Sequence, residues 1–252
     1  MRQRLAPVLA LLALLTACPG TAVRDDSHQP APDPAGQREG DRAAEREDAI
    51  ARLADDYMAR AAAHEPEVSR ILQEVAARVG GTMVGFEHRL KTRDSLLRKI
   101  RSRLAEDPTL EVSRVVIDDA LRYTLQVEDD PAGHHERAIR TALQALEAAG
   151  HTVKRVKNYW PRGDNYSGVN SVLVAPDGLP WELQFHTADS FRVKEETHAL
   201  YEEMRDDKTP PERKRELFRL LAAPWEAVAI PAEMLTPGGV HDTEEIILNS
   251  SP

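Results

Sequence analysis

The apolar positions of this chain change period along its length, and each change marks an element. Over residues 48–79, Ile50, Leu53, Tyr57, Ile71, Leu72, Val75 and Val79 recur at helical spacing, with a break at Glu65-Pro66. Two helices are predicted there, the second ended by Gly80-Gly81. Leu96, Leu97, Ile100 and Leu104 predict a helix over 95–104, with Asp94 as a candidate N-cap. Residues 112–127 are rich in Val, Ile, Tyr and Thr and read as a central strand. Ile139, Leu143 and Leu146 predict a helix over 134–149, closed by Gly150. Strands are predicted over 152–159, 167–175 and 181–187, the last two joined by the turn Ala175-Pro176-Asp177-Gly178. Helices resume over 190–205 and 211–222. Strands interleaved with helices, plus a late hairpin, make the fold class α+β, a mixed, mostly antiparallel sheet flanked by helices. The turn-rich stretch 231–252 reads as a loose tail.

The chain before residue 48 has no such period. Arg2 and Arg4 precede an apolar run over 5–15, shorter than the roughly 20 residues of a membrane-spanning helix. This layout predicts an export signal over 1–17. The run ends in Leu15-Thr16-Ala17-Cys18, which is similar to a bacterial lipobox and makes Cys18 a candidate lipidation site. The alternative is an ordinary cleaved signal with an incidental cysteine. On the lipobox reading the protein is exported and meets the membrane only through a lipid anchor. Residues 18–47 are rich in Pro, Gly, Asp, Arg and Ala and predict a disordered tether. A helical region over 48–80 and a mixed domain over 81–230 follow.

Composition narrows the chemistry. The 252 residues hold 33 Lys+Arg against 42 Asp+Glu, a net charge of −9, so the basic surface expected of a duplex-DNA-binding protein is not indicated. One cysteine excludes a disulfide framework and any cysteine-cluster metal site.

Four local clusters carry candidate chemistry. Arg89, Lys91, Arg93, Arg98 and Lys99 gather at the mouth of a helix, where free N–H groups and the dipole favour phosphate. The plain alternative is a solvated helix face. Asp118, Asp119 and Arg122 interrupt an apolar stretch, as paired charges or as ligands for Mg²⁺, which takes one or two carboxylates beside substrate phosphates. Lys157, Tyr159, Trp160, Arg162, Asn165 and Tyr166 combine cations and aromatics in one loop, suited to a stacked base with its phosphates or to a packed aromatic turn. Glu182, Gln184 and His186 alternate with Trp181, Leu183 and Phe185, so one strand face packs and the other presents polar groups.

Taken in order, these clusters resemble the synthetase domain of the RelA/SpoT family, which makes the alarmone (p)ppGpp and its relatives. The ATP-site pattern is matched by Arg89, Lys91, Ser95, Leu96 and Lys99. The magnesium aspartate followed by an arginine looks like Asp119 with Arg122. The lysine–aromatic stretch looks like Lys157, Tyr159, Asn165 and Tyr166, and the signature strand like Glu182, Gln184 and Thr187. The resemblance covers roughly residues 80–205. It departs from the family at Gly168-Val169-Asn170 and at His186, where arginine is usual, and it leaves open whether Asp118 or Asp119 is the ligand.

The resemblance implies an ATP-dependent pyrophosphokinase that transfers the β,γ-pyrophosphate of ATP to the 3′-hydroxyl of a nucleotide. Asp119 and Glu182 would hold Mg²⁺, and Glu182 would help deprotonate the acceptor. Arg89, Lys91, Ser95, Lys99 and Arg122 would bind ATP. Lys157, Arg162, Tyr166, Asn170, Gln184 and His186 would form the acceptor side, for GDP/GTP or ADP/ATP. Combined with the export signal, it implies an exported toxin or effector, with an immunity protein as a possible partner. The alternatives are a tRNA 3′-end pyrophosphorylating toxin and a catalytically silent nucleotide- or partner-binding lipoprotein. A metal site from His134, His135 and Glu136, or from His186 and His198, matches no ligand spacing.

Overall fold

The computed structural model describes residues 34–162, 166–206, 208–236, 240 and 243–244. The signal over 1–17, Cys18 and the tether as far as residue 33 lie outside the described residues. The chain divides into two compact units at Arg42/Ala43, and the site belongs to the second. No helix among the described residues is long and apolar enough to cross a membrane.

The first helix, α1, runs unbroken from Pro34 to Arg78 with Pro66 inside it. Two helices were expected from the break at Pro66. The helix survives because both of its halves bury the same apolar stripe: Ile50, Ala54, Tyr57 and Ala61 before the proline, Val68, Leu72 and Val75 after it. The last part of the expected tether is therefore helical. Its run of Arg, Ala and Glu favours helix intrinsically, and Glu47 pairs with Arg101 at 2.7 Å.

One six-stranded sheet forms the centre, in the order β1 (Thr82–Val84), β2 (Arg122–Gln126), β5 (Pro180–His186), β4 (Val169–Val174), β3 (Thr152–Asn158) and β6 (Thr243–Glu244). Only β2–β5 is parallel, so the α+β class with a mixed, mostly antiparallel sheet holds. Helices α2 (Arg93–Glu106), α3 (His134–Ala148), α4 (Ala188–Arg205) and α5 (Pro211–Glu226) complete the fold. Trp181, Leu183 and Phe185 are fully buried, as their alternation predicts.

Three further expectations need correction. The strand expected over 112–127 shrinks to β2. Upstream of it Val115 and Ile117 are buried without a ladder, because Tyr57 of α1 takes their backbone bonds: Ile117 N–H donates to its Oη at 3.1 Å, and the hydroxyl donates to Val115 O at 3.3 Å. Thr92, not Asp94, caps α2, its hydroxyl accepting from Ser95 N–H. The tail is not uniformly loose. Asn158 Nδ2 donates to Met234 O and Val240 O, both at 2.9 Å, and β6 pairs with β3.

Candidate functional site

The first two sequence clusters meet. Residues 89–91 run beside 120–122 through Lys91 N–H to Ala120 O at 3.0 Å and Arg122 N–H to Arg89 O at 2.8 Å. Lys91 then lies just before the α2 cap, and Lys99 lies in that helix. Their ammonium groups close on opposite oxygens of Asp119, at 2.8 and 2.7 Å. Burial alone would raise the Asp119 carboxyl; Lys99 and Lys91 outweigh it and hold it below the usual range. Lys99 also reaches Asp118 at 3.4 Å, and Arg155 of β3 binds Asp118 at 2.7 Å. Asp119 stands in the irregular approach to β2, not on the strand itself.

Arg89 is held on three sides. Its Nε pairs with Glu65 of α1, one terminal nitrogen donates to Phe86 O at 2.9 Å, and its guanidinium lies 4.4 Å from the Phe86 ring centroid. Ser69 and Arg89 keep the Glu65 carboxyl below its usual range. Ser95 hydrogen-bonds the Thr92 cap and receives Arg98 at 3.2 Å, so in this structure its hydroxyl serves the helix start.

The sheet supplies the remainder as rows across its strands. Arg155, Val172, Glu182 and Arg122 are partners in register, and two residues along so are Lys157, Asn170, Gln184 and Thr124. Since side chains alternate, both rows share one face. Glu182 is half-buried. Burial raises its pKa; a hydrogen bond from Gln184 Nε2 at 3.1 Å and Arg122 oppose the rise, while Asp119 and Asp118 add to it. The polar face of β5 is thus not a solvated one: Gln184 and His186 are buried.

Tyr166 sits among aromatic groups, edge-on to Tyr159 and His186 at 5.3 Å each and tilted against Trp225 at 5.8 Å. Its hydroxyl donates to Asn170 Oδ1 at 2.7 Å and meets His186 Nε2 at 2.9 Å. His186, expected on the acceptor side, is 0 % exposed and lies behind Tyr166. The Arg162 side chain and Asn165 lie outside the described residues. Trp160 is buried and belongs to the core.

Sequence reasoning missed Glu65, Arg155 and Trp225. Arg155 was findable, since it stands two residues before Lys157 on the same strand. Glu65 and Trp225 lie far from the motifs, and only packing brings them in.

No trio of His, Cys, Asp or Glu among the described residues is arranged to hold a metal alone. His134 Nε2 bonds Val79 O, His135 Nδ1 bonds Val127 O, and Glu136 pairs with Arg140, so that histidine cluster is structural. The Asp119–Glu182 pair offers hard carboxylate oxygens of the kind Mg²⁺ takes together with phosphate.

Over 137 residues the chain is 30% identical to the (p)ppApp synthetase toxin Tas1 of Pseudomonas aeruginosa, covering 54% of this chain and 27% of the toxin. It therefore spans about a quarter of that relative's length. No family model matches. Among solved structures, the complex of the Type VI effector Tas1 with its immunity protein has a TM-score of 0.45 at 21% identity, covering 68% of this chain and 94% of that one. The small alarmone synthetase 1 of Bacillus subtilis bound to its product pppGpp has a TM-score of 0.48 at 19% identity, covering 69% and 92%. The relation to Tas1 bears out the resemblance drawn from the motifs: the chain carries a domain related to that synthetase.

Proposed function

We propose that the chain is an ATP-dependent nucleotide pyrophosphokinase of the RelA/SpoT type. The observation that carries the reading is the Lys91–Asp119–Lys99 cluster beside the sheet face bearing Glu182. The grouping suits phosphoryl-type transfer, which is mostly positioning and charge stabilisation.

The acceptor 3′-hydroxyl attacks the β-phosphorus of ATP, the bond from that phosphorus to the α,β-bridging oxygen breaks, and AMP leaves. Glu182 accepts the hydroxyl proton. Lys91, Lys99 and Arg89 turn from their carboxylate partners to the triphosphate, and Arg122, in register with Glu182, faces the transferring group. Asp119 and Glu182 would hold Mg²⁺, which supplies charge neutralisation across the phosphates. Lys157 and Arg162 serve the acceptor phosphates, Tyr166 its base, and Asn170 and Gln184 line the same side.

We further propose that the protein is exported through residues 1–17 and lipidated at Cys18. ATP is scarce outside the cytoplasm, so an exported enzyme of this kind acts as a toxin inside another cell, and its producer needs an immunity protein. The relation to a synthetase toxin supports this reading.

The test is incubation of the purified chain with ATP and Mg²⁺ and, separately, GDP, GTP, ADP, ATP or tRNA, with products read by mass spectrometry. AMP release matched to one pyrophosphorylated acceptor is the expected result and names the substrate. A folded protein that transfers to none of them overturns the reading in favour of a binding lipoprotein.

A further inference from the structure

His186 is a polar side chain with no exposure, on the face of β5 that also carries Glu182 and Gln184. Its two nitrogens are both engaged: Nε2 with the Tyr166 hydroxyl at 2.9 Å and Nδ1 with Ser190 Oγ at 3.0 Å. Ser190 is itself fixed, since it and Thr187 form the capping box that starts α4. The imidazole is therefore a strut between the N-terminus of α4 and the phenol. On the other side Asn170 of β4 takes the phenol hydrogen at 2.7 Å. A phenol oxygen caught by two partners on different strands cannot swing, and the ring orientation follows.

The strut has room only because residue 168 is glycine. A Cβ there would lie 2.8 Å from His186 Cε1 and 3.1 Å from Nδ1, and 2.9 Å from Phe185 O. Gly168, Asn170 and His186 lie among the positions where the sequence departs from the family pattern: Asn170 and His186 meet at the Tyr166 hydroxyl, and Gly168 leaves room for the imidazole. Trp225 of α5 closes the ring's surroundings.

We propose that His186 and Asn170 form a lock that sets Tyr166 for the nucleotide acceptor, and that both are positioning residues acting through the phenol. The inference rests on the pyrophosphokinase reading for its substrate, not for its geometry. Tyr166 touches the acceptor base, and the lock pre-orders its ring, so the binding cost falls on the free protein instead of on the complex.

Kinetics with the full chain test it. His186→Ala raises the acceptor KM about tenfold, the worth of one strong hydrogen bond, while the ATP KM stays within about twofold. His186→Gln, whose amide reaches the phenol, recovers most of the loss. Asn170→Ala has a similar effect, and the double variant is less than additive because both substitutions free the same ring. Equal rises in both KM values, or no recovery with Gln, reduce His186 to packing and overturn the proposal.

A second measurement does not depend on activity. In spectra of the chain labelled with ¹⁵N-histidine, His186 shows a single neutral tautomer, and Tyr166→Phe turns it into a mixture. An unchanged His186 signal in Tyr166→Phe overturns the lock. If the wild type transfers nothing yet the signal changes, the enzyme reading fails and the lock stands.

Discussion

Lys99 Nζ lies 2.7 Å from Asp119 Oδ1 and 3.4 Å from Asp118 Oδ1, so one ammonium from α2 joins two consecutive carboxylates. The pair is not symmetrical. Asp119 receives a second ammonium from Lys91, whereas Asp118 is taken by Arg155 of β3. Both lysines proposed to bind phosphate thus stand on Asp119, and Asp118 ties β3 to α2.

That asymmetry predicts different losses. Asp119→Asn should lower turnover by about a hundredfold or more, within the range for a group that stabilises transferring charge, and should weaken the dependence on Mg²⁺. Asp118→Asn should cost less than about fivefold, because its bond is to a positioning cation. Titration of initial rate against Mg²⁺ for both variants decides the ligand.

Glu182→Gln should abolish transfer while leaving the fold intact. Removing a general base costs about a hundredfold to ten-thousandfold, and the amide keeps the shape and the hydrogen bond to Gln184. Its half-buried carboxylate has a raised pKa, so neutralising it relieves desolvation and should not lower the melting temperature. Full turnover in Glu182→Gln would sink the assignment.

Asp177, in the turn between β4 and β5, holds α1 through Arg60 Nε at 3.2 Å and His64 Nε2 at 2.9 Å. Partial burial alone would raise its pKa; the Leu179 N–H, Arg60 and His64 outweigh this and bring it to about 2. A depressed folded pKa means stability that is present above the unfolded value near 3.8 and is lost as pH falls towards about 2. Asp177→Asn, which keeps the acceptor for Leu179, should cost roughly 0.5–1 kcal/mol at neutral pH, the worth of a partly exposed pair. The difference from wild type should close between pH 4 and about 2 in thermal melts. A constant difference across that window would refute the ionic account.

Deleting the chain from Pro231 onward should destabilise the domain instead of trimming a loose end. The Asn158 amide would lose its bonds to the carbonyls of Met234 and Val240, worth about 0.5–1.5 kcal/mol each. Met234 itself is buried and would leave apolar surface exposed. Chemical denaturation of the truncated and full chains measures the loss.

Much of the site was legible from local pattern. The alternation over 181–187 set which face of β5 packs, because side chains in a strand alternate whatever lies beside them. The Lys91 and Lys99 spacing put one cation just before α2 and the other within it, since that geometry is internal to a turn and the helix it starts. Helices α2 to α5 and strands β3 to β5 followed from their periods for the same reason.

What the local pattern did not decide was set by contacts between distant segments. The chain read a break at Pro66, yet burial on both sides of it carries α1 through. It read a strand over 112–127, yet Tyr57 takes the backbone bonds of Val115 and Ile117, and only Arg122–Gln126 pairs. The sequence by itself determined which side chains are available and how each is aimed along its own element, because that depends on backbone period alone. Only the tertiary structure decided that Glu65 steadies Arg89, that Arg155 holds Asp118, and that His186 is a strut for Tyr166. Those partners lie on separate elements, and only packing chooses which of many compatible charges and hydrogen-bonding groups come within reach.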